Sequence, residues 1–461
     1  MSRFIAILRD SYREALSTWV VPVMLVLAGL LVLFVASVSF RQVGLQDELE
    51  KGFGTFNWAL GLNPANGKPR FVVENVTGTN PTEPWKADYE FDIALYGGTE
   101  EFLKQARTSA GFPVTRRRME NFLGQAVPFL DNVKVEEVAD PPAASAVAGG
   151  LAGPARQAIT GEKFRFHATT RGTKIADRMS WPHQPTVLFV WDLPFNLSLR
   201  EGVYTLEKRL VNDAGAWITL LVSVVITAGF IPNMLRKGAL DLYIAKPISR
   251  VGLLIYKYIG GLIFVLMLTA VTVTGVWAVI GLRTGIWTPH FLALIPLLTF
   301  YFAVLYSIST LAAVLTRSTL VAILATITAW GLLFGIGWGH EYVAKAKDAE
   351  RKMMDTVRQA DPDAKPDEDP DDEANRNRQP WQVPTWLDVL ARALYNPLPR
   401  TYDLDDRMIQ AIAHGVLTDF ELKQNSLDRP LPPWPETIGV SLAFIAVMLG
   451  LASWRLVTRD G

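Results

Sequence analysis

A basic loop between two long apolar runs holds the residues of this chain whose types and spacing suit a chemical task. The loop covers residues 233–252, and its basic side chains are Arg236, Lys237, Lys246 and Arg250. A plain connection between two apolar runs needs only a few polar residues. Charged side chains beside apolar ones form ion pairs at docking interfaces, where the apolar groups supply buried contact. The loop is therefore predicted to bind a partner; the alternative is a basic loop that only sets membrane orientation.

Patterns typical of catalysis are missing from the sequence. Residues 61–69 approach a phosphate-binding loop, but the glycines are one residue too far apart and Pro69 stands where Ser or Thr binds magnesium. His340 and Glu341 begin like a zinc protease helix, yet Ala344 occupies the position of the second histidine. The chain has 5 His and 0 Cys, which excludes disulfides, thiolate catalysis and Cys-ligated metals. We predict no catalytic, cofactor-binding or metal-binding residues.

Six apolar runs are long enough to cross a membrane as helices. Hydrophobic residues make up 50% of the 461-residue chain, more than a soluble fold needs, and they are concentrated in blocks. A hydrocarbon core needs roughly 20 apolar residues of helix. The predicted spans are residues 20–40, 214–232, 253–282, 290–315, 318–338 and 436–454. The fold class is thus predicted to be an α-helical polytopic membrane protein with six transmembrane helices, of which spans two to five occupy 214–338.

The distribution of Lys and Arg near the span ends predicts that both termini are cytoplasmic. The loop 233–252 and the tail 455–461 then lie inside as well. Residues 1–19 alternate apolar and charged side chains at helical spacing, which predicts an amphipathic helix in the cytoplasmic interface. The first apolar run exceeds the roughly 7 to 15 residues of a signal-peptide core, so we predict an uncleaved anchor. The segments 41–213 and 339–435 fall outside.

The first outside segment, 41–213, is predicted to be an α+β extracytoplasmic domain between the first and second spans. Strand-like runs cover residues 89–96, 133–138, 163–169 and 186–191. A helix-like run covers 100–107 and follows a possible cap at Thr99. A segment of this length can bury a core of its own.

The second outside segment, 339–435, is predicted to be a charged linker with short helices. A charged helical stretch at 341–359 leads into the acidic run 361–373, which is typical of a solvated linker. Two short helices follow at 385–394 and 403–417. The first of them places its apolar residues on one face, so this pair could rest on the outer membrane interface.

Three glycines repeat every four residues in the fifth predicted span. Gly331, Gly335 and Gly339 form a smooth stripe on one helix face, and such stripes let helix backbones approach closely. Two interpretations remain open for this helix-packing stripe: packing within one chain, or a seam between two copies.

The six spans, the amphipathic N-terminal helix and the basic loop together resemble the permease subunits of ABC-2 type exporters, here with a large extracytoplasmic insertion after the first span. In the loop, the matching residues are Gly238, Leu240, Asp241, Leu242, Lys246, Pro247 and Arg250, followed by Lys257. Gly238 suits a turn out of the second span, and Pro247 would end a short helix because it donates no backbone hydrogen bond. The predicted order of spans and loops resembles that family over nearly the whole chain.

The resemblance implies a transport function in the plasma (inner) membrane. In that family the loop forms a coupling helix that enters a groove on a separate cytoplasmic ATPase, and two permeases with two ATPases make a transporter. The partners implied here are an ABC ATPase subunit, a second permease copy or homologous permease, and the lipid bilayer. ATP would be bound by the ATPase, so no cofactor is expected on this chain. The basic residues 234–237 depart from the acidic residue that many relatives carry before the glycine.

A membrane scaffold or sensor is the competing hypothesis. Its outer domain would bind a partner, and its cytoplasmic loop would only follow the positive-inside rule. An enzyme embedded in the membrane is disfavoured, because the sequence has no catalytic constellation. The formal net charge of +0 gives no reason to expect a nucleic-acid partner.

Overall fold

The computed structural model describes the greater part of the chain. The described residues are 20–59, 61–62, 70–80, 82–96, 123, 130–137, 163–169, 177–213, 223–225, 227–234, 249–360, 384–425 and 427–459. The predicted elements at 1–19, 100–107 and 361–373 lie outside these ranges. The chain divides into two compact units, one formed by Ala36–Val203 and the other by Met1–Val35 with Tyr204–Gly461.

The described residues of the Ala36–Val203 unit form two antiparallel sheets, one helix and the first residues of a further helix that continues into the other unit. Its elements are β1 (Ser39–Gln42), α2 (Leu45–Ala59), β2 (Arg70–Gly78), β3 (Asp88–Tyr96), β4 (Asp131–Glu137), β5 (Lys163–Thr169), β6 (Pro182–Val187), β7 (Trp191–Asp192) and β8 (Leu197–Ser198). One sheet has the order β2-β3-β5-β4, and in the other β6 pairs with β1, β7 and β8. The helix α1 (Val20–Ser37) precedes β1.

The sheet β2-β3-β5-β4 and α2 share one core. Tyr89, Phe91 and Ile93 alternate along β3 and are all buried in this core, because successive side chains of a strand point to opposite faces. Phe91 lies opposite Phe166 in the β3–β5 register, and their rings stack with centroids 5.2 Å apart. The helix α2 presents its apolar residues to the same cluster at spacings of four, which are Leu45, Leu49 and Phe53.

Three of the four strands predicted for this unit are present, and the fourth is divided by a turn. The runs at 89–96, 133–138 and 163–169 are confirmed as β3, β4 and β5. The prediction of a single strand at 186–191 is wrong, because β6 ends at Val187 and a turn separates it from β7. The turn residues are apolar, so nothing in their composition signals a turn.

The other unit is helical. Its described residues include all of α1 but Ala36 and Ser37, and the helices α3 (Leu199–Lys208, shared with the preceding unit), α4 (Phe230–Met234), α5 (Arg250–Thr284), α6 (Leu294–Thr316), α7 (Thr319–Ala360), α8 (Thr385–Tyr395), α9 (Thr401–Val416), α10 (Asp419–Gln424) and α11 (Trp434–Arg459). A π-helical turn, Arg209–Asp213, follows α3, and a 3-10 turn, Pro289–Ala293, precedes α6. The helices predicted at 385–394 and 403–417 are confirmed as α8 and α9.

Four of the described helices are long and apolar enough to cross a membrane. They are Arg250–Thr284, Pro289–Thr316, Thr319–Lys352 and Trp434–Thr458, which correspond to the third to sixth predicted spans. The first and second spans are represented by the shorter apolar helices Pro22–Ser37 and Ser223–Pro232. The count of six spans stays a prediction.

The helix α6 lies at the centre of this unit and packs against α5, α7 and α11. Tyr301, Phe302 and Tyr306 of α6 are among the largest fully buried side chains. The helix α7 has 42 residues and is therefore roughly 60 Å long, about twice the thickness of a hydrocarbon core. The charged stretch 341–359 is thus a direct continuation of the fifth span.

Candidate functional site

The predicted ATPase-coupling residues fall mostly outside the described ranges. Gly238, Leu240, Asp241, Leu242, Lys246 and Pro247 belong to residues 235–248, which the structure does not describe. Arg250 is the first residue of α5 and is partly buried. Ser249 caps this helix, because its side chain accepts a hydrogen bond of 3.1 Å from the backbone N–H of Gly252. The cap explains why α5 begins where the basic loop ends.

The helices that flank the loop on both sides pack against the same helix, α6. The helix α4 ends at Met234, α5 begins at Arg250, and both helices pack against α6. Ile231 from α4 and Leu254 from α5 are buried in one cluster with the α6 core. Lys257, two turns into α5, is also buried. The helices α4 and α5 therefore each connect one end of the loop directly to α6.

The packing of α5 on α6 is close. The Tyr258 and Tyr306 rings stack with centroids 5.1 Å apart, and the Tyr258 hydroxyl donates a 2.7 Å hydrogen bond to the Ala303 carbonyl. Gly261 makes room for this stack, since a Cβ there would lie 2.7 Å from the Tyr306 ring. Because close-packed interiors resist local deformation, this contact couples the position of α5 to that of α6.

The glycine stripe of α7 is directed away from the rest of the described chain. A Cβ built at Gly331, Gly335 or Gly339 meets no atom of the described residues within 4 Å. Gly337 behaves differently, because a Cβ there would lie 2.8 Å from the Tyr402 Cβ of α9. The two faces of α7 are therefore distinct: one packs on α9, and the other has no described atom within 4 Å of its glycine Cβ positions.

A buried carboxyl group lies at the end of α3. Glu207 is fully buried, and its Oε1 accepts a 2.9 Å hydrogen bond from the Thr288 hydroxyl, while its Oε2 has no partner among the described residues. Burial raises the pKa of Glu207 to about 8, and the Thr288 hydrogen bond opposes this shift. No role was predicted for Glu207 from the sequence. Its signal was the stripe Val203, Glu207 and Val211, which recurs at spacings of four.

We expect Glu207→Gln to remove a pH-dependent loss of stability. The pKa of Glu207 is higher in the folded chain than the ordinary value of 4.5, so the folded state retains a proton that the unfolded state releases. The contribution of Glu207 to the free energy of unfolding is then greatest below pH 4.5 and falls as the pH rises to about 8, at most by about 1.4 kcal/mol per pH unit. The apparent melting temperature in detergent at pH 5 and pH 9 measures this slope.

The matched control for Glu207→Gln is Glu50→Gln, since Glu50 is an exposed residue of α2. The glutamine at position 207 keeps the shape of the side chain and the acceptor for Thr288. It should flatten the pH dependence and raise the melting temperature at pH 9, whereas the control should match the parent at both pH values. An unchanged slope for the Glu207 variant would contradict the buried-acid assignment.

An arginine joins two helices beyond the apolar part of α7. The Arg429 guanidinium donates to Glu341 of α7 through Nη1 and to Asp406 of α9 through Nη2. Lys345 adds a second cation 3.3 Å from Glu341. Burial raises the pKa of Asp406 to about 6, and the charge of Arg429 opposes this rise. The arrangement balances charges and ties α7 to α9.

A second cluster lies around Tyr395, the last residue of α8. The His340 ring stacks on Tyr395 with centroids 4.3 Å apart, and the Arg400 guanidinium lies 4.5 Å from the centre of the same ring. The Tyr395 hydroxyl donates to Asp403 at 2.8 Å, and Arg400 pairs with Glu436 of α11 at 2.9 Å. Burial raises the pKa of Asp403. The cluster therefore connects α7, α8, α9 and α11.

These two clusters bind helices together and do not resemble a reaction centre. Within the ranges that the structure describes, no group of three or more His, Cys, Asp or Glu residues could hold a metal ion. The carboxylates at positions 341, 406 and 436 face arginines at salt-bridge distance. The ion pairs and hydrogen bonds of the two clusters hold α7, α8, α9 and α11 together.

Comparison with known proteins identifies one family. A family model described as an ABC-2 family transporter protein matches residues 125–461. The match includes all the helices from α3 to α11 and leaves residues 1–124 outside. Comparisons with curated proteins and with solved structures give no match.

Proposed function

Because this chain belongs to the ABC-2 transporter family, we propose that it is the membrane-spanning permease subunit of an ABC exporter. The energy source is a separate cytoplasmic ATPase, which binds the ATP. The observation that carries this proposal is the family match over residues 125–461. The four helices of membrane-spanning length, all inside the matched region, support it.

The proposed topology places both termini in the cytoplasm of a cell whose plasma (inner) membrane holds six spans. The segments 41–213 and 339–435 then lie outside. This arrangement is supported by the Lys and Arg distribution. It also agrees with the position of the charged clusters, because the Arg429 and Tyr395 groups then lie in outer water and not in lipid.

The proposed coupling element is the loop 233–252, with residues 238–250 in contact with the ATPase. Leu240 and Leu242 supply apolar contact there, while Asp241 and Arg250 set the register by charge. The anchoring of both loop ends against α6 supports this role. Movement of the ATPase is transmitted to α5 and, through the Tyr258–Tyr306 stack, to the core of the bundle.

Co-purification tests the proposed function directly. The tagged chain is solubilised from membranes of its own host in mild detergent, and the purified material is assayed for ATP hydrolysis and for a co-purifying ATPase subunit. A permease brings down the ATPase and shows vanadate-sensitive phosphate release. A preparation that holds the outer partner of the chain but no ATP hydrolysis supports the scaffold or sensor hypothesis instead.

The second proposed partner is another permease copy or a homologous permease, which packs on the glycine stripe of α7. We expect Gly335→Leu to break the complex of two permeases while each chain stays folded, because the Cβ at this position meets no described atom of its own chain. Size-exclusion chromatography with light scattering in detergent measures the mass of the complex.

Gly337→Leu is the contrasting variant. Its side chain would collide with Tyr402, so we expect a lower melting temperature of the single chain through overpacking. The seam hypothesis is wrong if Gly335→Leu leaves the mass of the parental complex unchanged.

A further inference from the structure

Four consecutive large apolar side chains are exposed at the end of the hairpin between β6 and β7. The exposed fractions are 44% for Leu188, 62% for Phe189, 76% for Val190 and 66% for Trp191. We name residues 188–191 the apolar tip. Contiguous apolar groups of this size are uncommon on the surface of soluble proteins, and they mark places that bind a partner or a membrane.

The backbone of the apolar tip is one that bulky residues disfavour. Leu188 and Phe189 have φ angles of 53° and 61°, in the left-handed region where glycine and asparagine are usual. A chain that only needed to reverse direction here would use Asn-Gly or a similar pair. Large apolar side chains at strained turn positions point instead to a role for the side chains themselves.

The register of β1 and β6 places the apolar tip beside the end of the first apolar helix. Ser39 pairs with Thr186 and Gln42 pairs with His183. The strand β6 therefore runs back along β1 toward Ser37, the last residue of α1. At about 3.3 Å per residue, the turn after Val187 lies within roughly 10 Å of Ser39 along the strand direction. The apolar tip is thus close along the strand to Ser37, the residue at which α1 ends.

The composition of the tip suits lipid better than a second protein. None of its four side chains is charged, and a tryptophan stands at its end, as is typical of the membrane–water interface. The nearest carboxylate, that of Asp192, accepts a 2.8 Å hydrogen bond from the Thr186 hydroxyl and so is bound within the sheet. Protein interfaces usually surround their apolar centre with a polar rim.

We propose that the apolar tip inserts into the outer membrane–water interface and holds the Ala36–Val203 unit against the lipid headgroups. The inference rests on the proposed topology, in which α1 is a span whose end at Ser37 faces outward. The tip thereby limits the motion of this unit at the membrane surface.

A lipid-quenching experiment on the full-length chain tests the insertion. The chain has 0 Cys, so Val190→Cys can be labelled at one position with an environment-sensitive fluorophore. The matched control is Gln42→Cys, an exposed position at the opposite end of the same strand pair. Both proteins are reconstituted into phosphatidylcholine nanodiscs, with and without phosphatidylcholine that carries a nitroxide near its headgroup.

The expected result is a blue-shifted emission at position 190 and a loss of intensity in the nitroxide discs, with neither effect at position 42. Trp191→Cys should repeat the result. Water-like, unquenched emission at both tip positions would overturn the proposal. So would efficient oxidative cross-linking of Val190→Cys between two chains, because the tip would then cover a second copy.

The proposed topology is tested separately by labelling a cysteine from outside the cell. Ser145→Cys, in the outside segment, should react with a membrane-impermeant maleimide on intact cells. Failure of that labelling would overturn the topology, whereas the quenching at position 190 reports insertion of the tip independently of which leaflet it enters.

Discussion

Replacing Arg429 with methionine should loosen the attachment of α7 to α9 and cost about 2 kcal/mol of stability. The variant leaves the carboxylates of Glu341 and Asp406 without the cation between them, and both side chains are more than four fifths buried. The expected loss is below that of a fully buried pair, because the arginine itself is 37% exposed. The apparent free energy of unfolding in a graded detergent titration measures it.

The matched control is Arg392→Met on α8, which removes an exposed arginine from a carboxylate, Asp388, that keeps Lys347 as a second cation. Arg392 and Asp388 are four residues apart on one helix, and such pairs contribute about 0.5 kcal/mol or less. The Arg429 deficit should also shrink below about pH 6, where Asp406 becomes neutral. Equal losses for the two variants would show that Arg429 does not join the helices.

Charge reversal in the coupling loop should abolish most of the ATPase activity that depends on this chain. Asp241→Lys and Arg250→Glu each place a like charge against the partner in a desolvated interface, which typically costs several kcal/mol. We expect at least a roughly tenfold loss of ATPase association or of substrate-stimulated hydrolysis. Both quantities are measured on membranes that contain equal amounts of inserted permease.

Arg283→Glu provides the control for these reversals. Arg283 lies in the last turn of α5, at the opposite end of the helix that Arg250 begins, and on the proposed topology it faces outward. This variant should insert and retain both association and stimulation. The coupling assignment is wrong if the two loop variants insert normally and also retain both at the parental level.

The apolar helices are the part of this protein that the sequence predicts best. The runs at 253–282, 290–315, 318–338 and 436–454 correspond to helices of membrane-spanning length. A bilayer demands apolar side chains over roughly 20 consecutive residues and leaves the backbone no partner but itself. That requirement is local, so it can be recognised without knowledge of any neighbour. The amphipathic helices α8 and α9 are recognised for a similar reason, from spacing alone.

The turn at 188–190 shows where a local pattern is misleading. Five apolar residues in succession, from Val187 to Trp191, are typical of a strand, and this stretch contains no Gly, Asn or Pro to mark a reversal. The pairing of β6 with β7 imposes the turn and places Leu188 and Phe189 at positive φ. Tertiary contacts overrode the local preference here.

By itself the sequence determined the membrane class, the helices of spanning length and the resemblance to ABC-2 permeases, which the family match then confirmed. Only the tertiary structure decided that Glu207 is buried, that Arg429 bridges α7 to α9, and that Gly337 but not Gly335 packs within the chain. Arg429 and Glu341 are 88 residues apart. The physical reason is the sequence separation of the residues involved. The length of an apolar run and its helical spacing are properties of one segment. Burial, charge pairing and the accessibility of a helix face depend instead on which distant segments pack together.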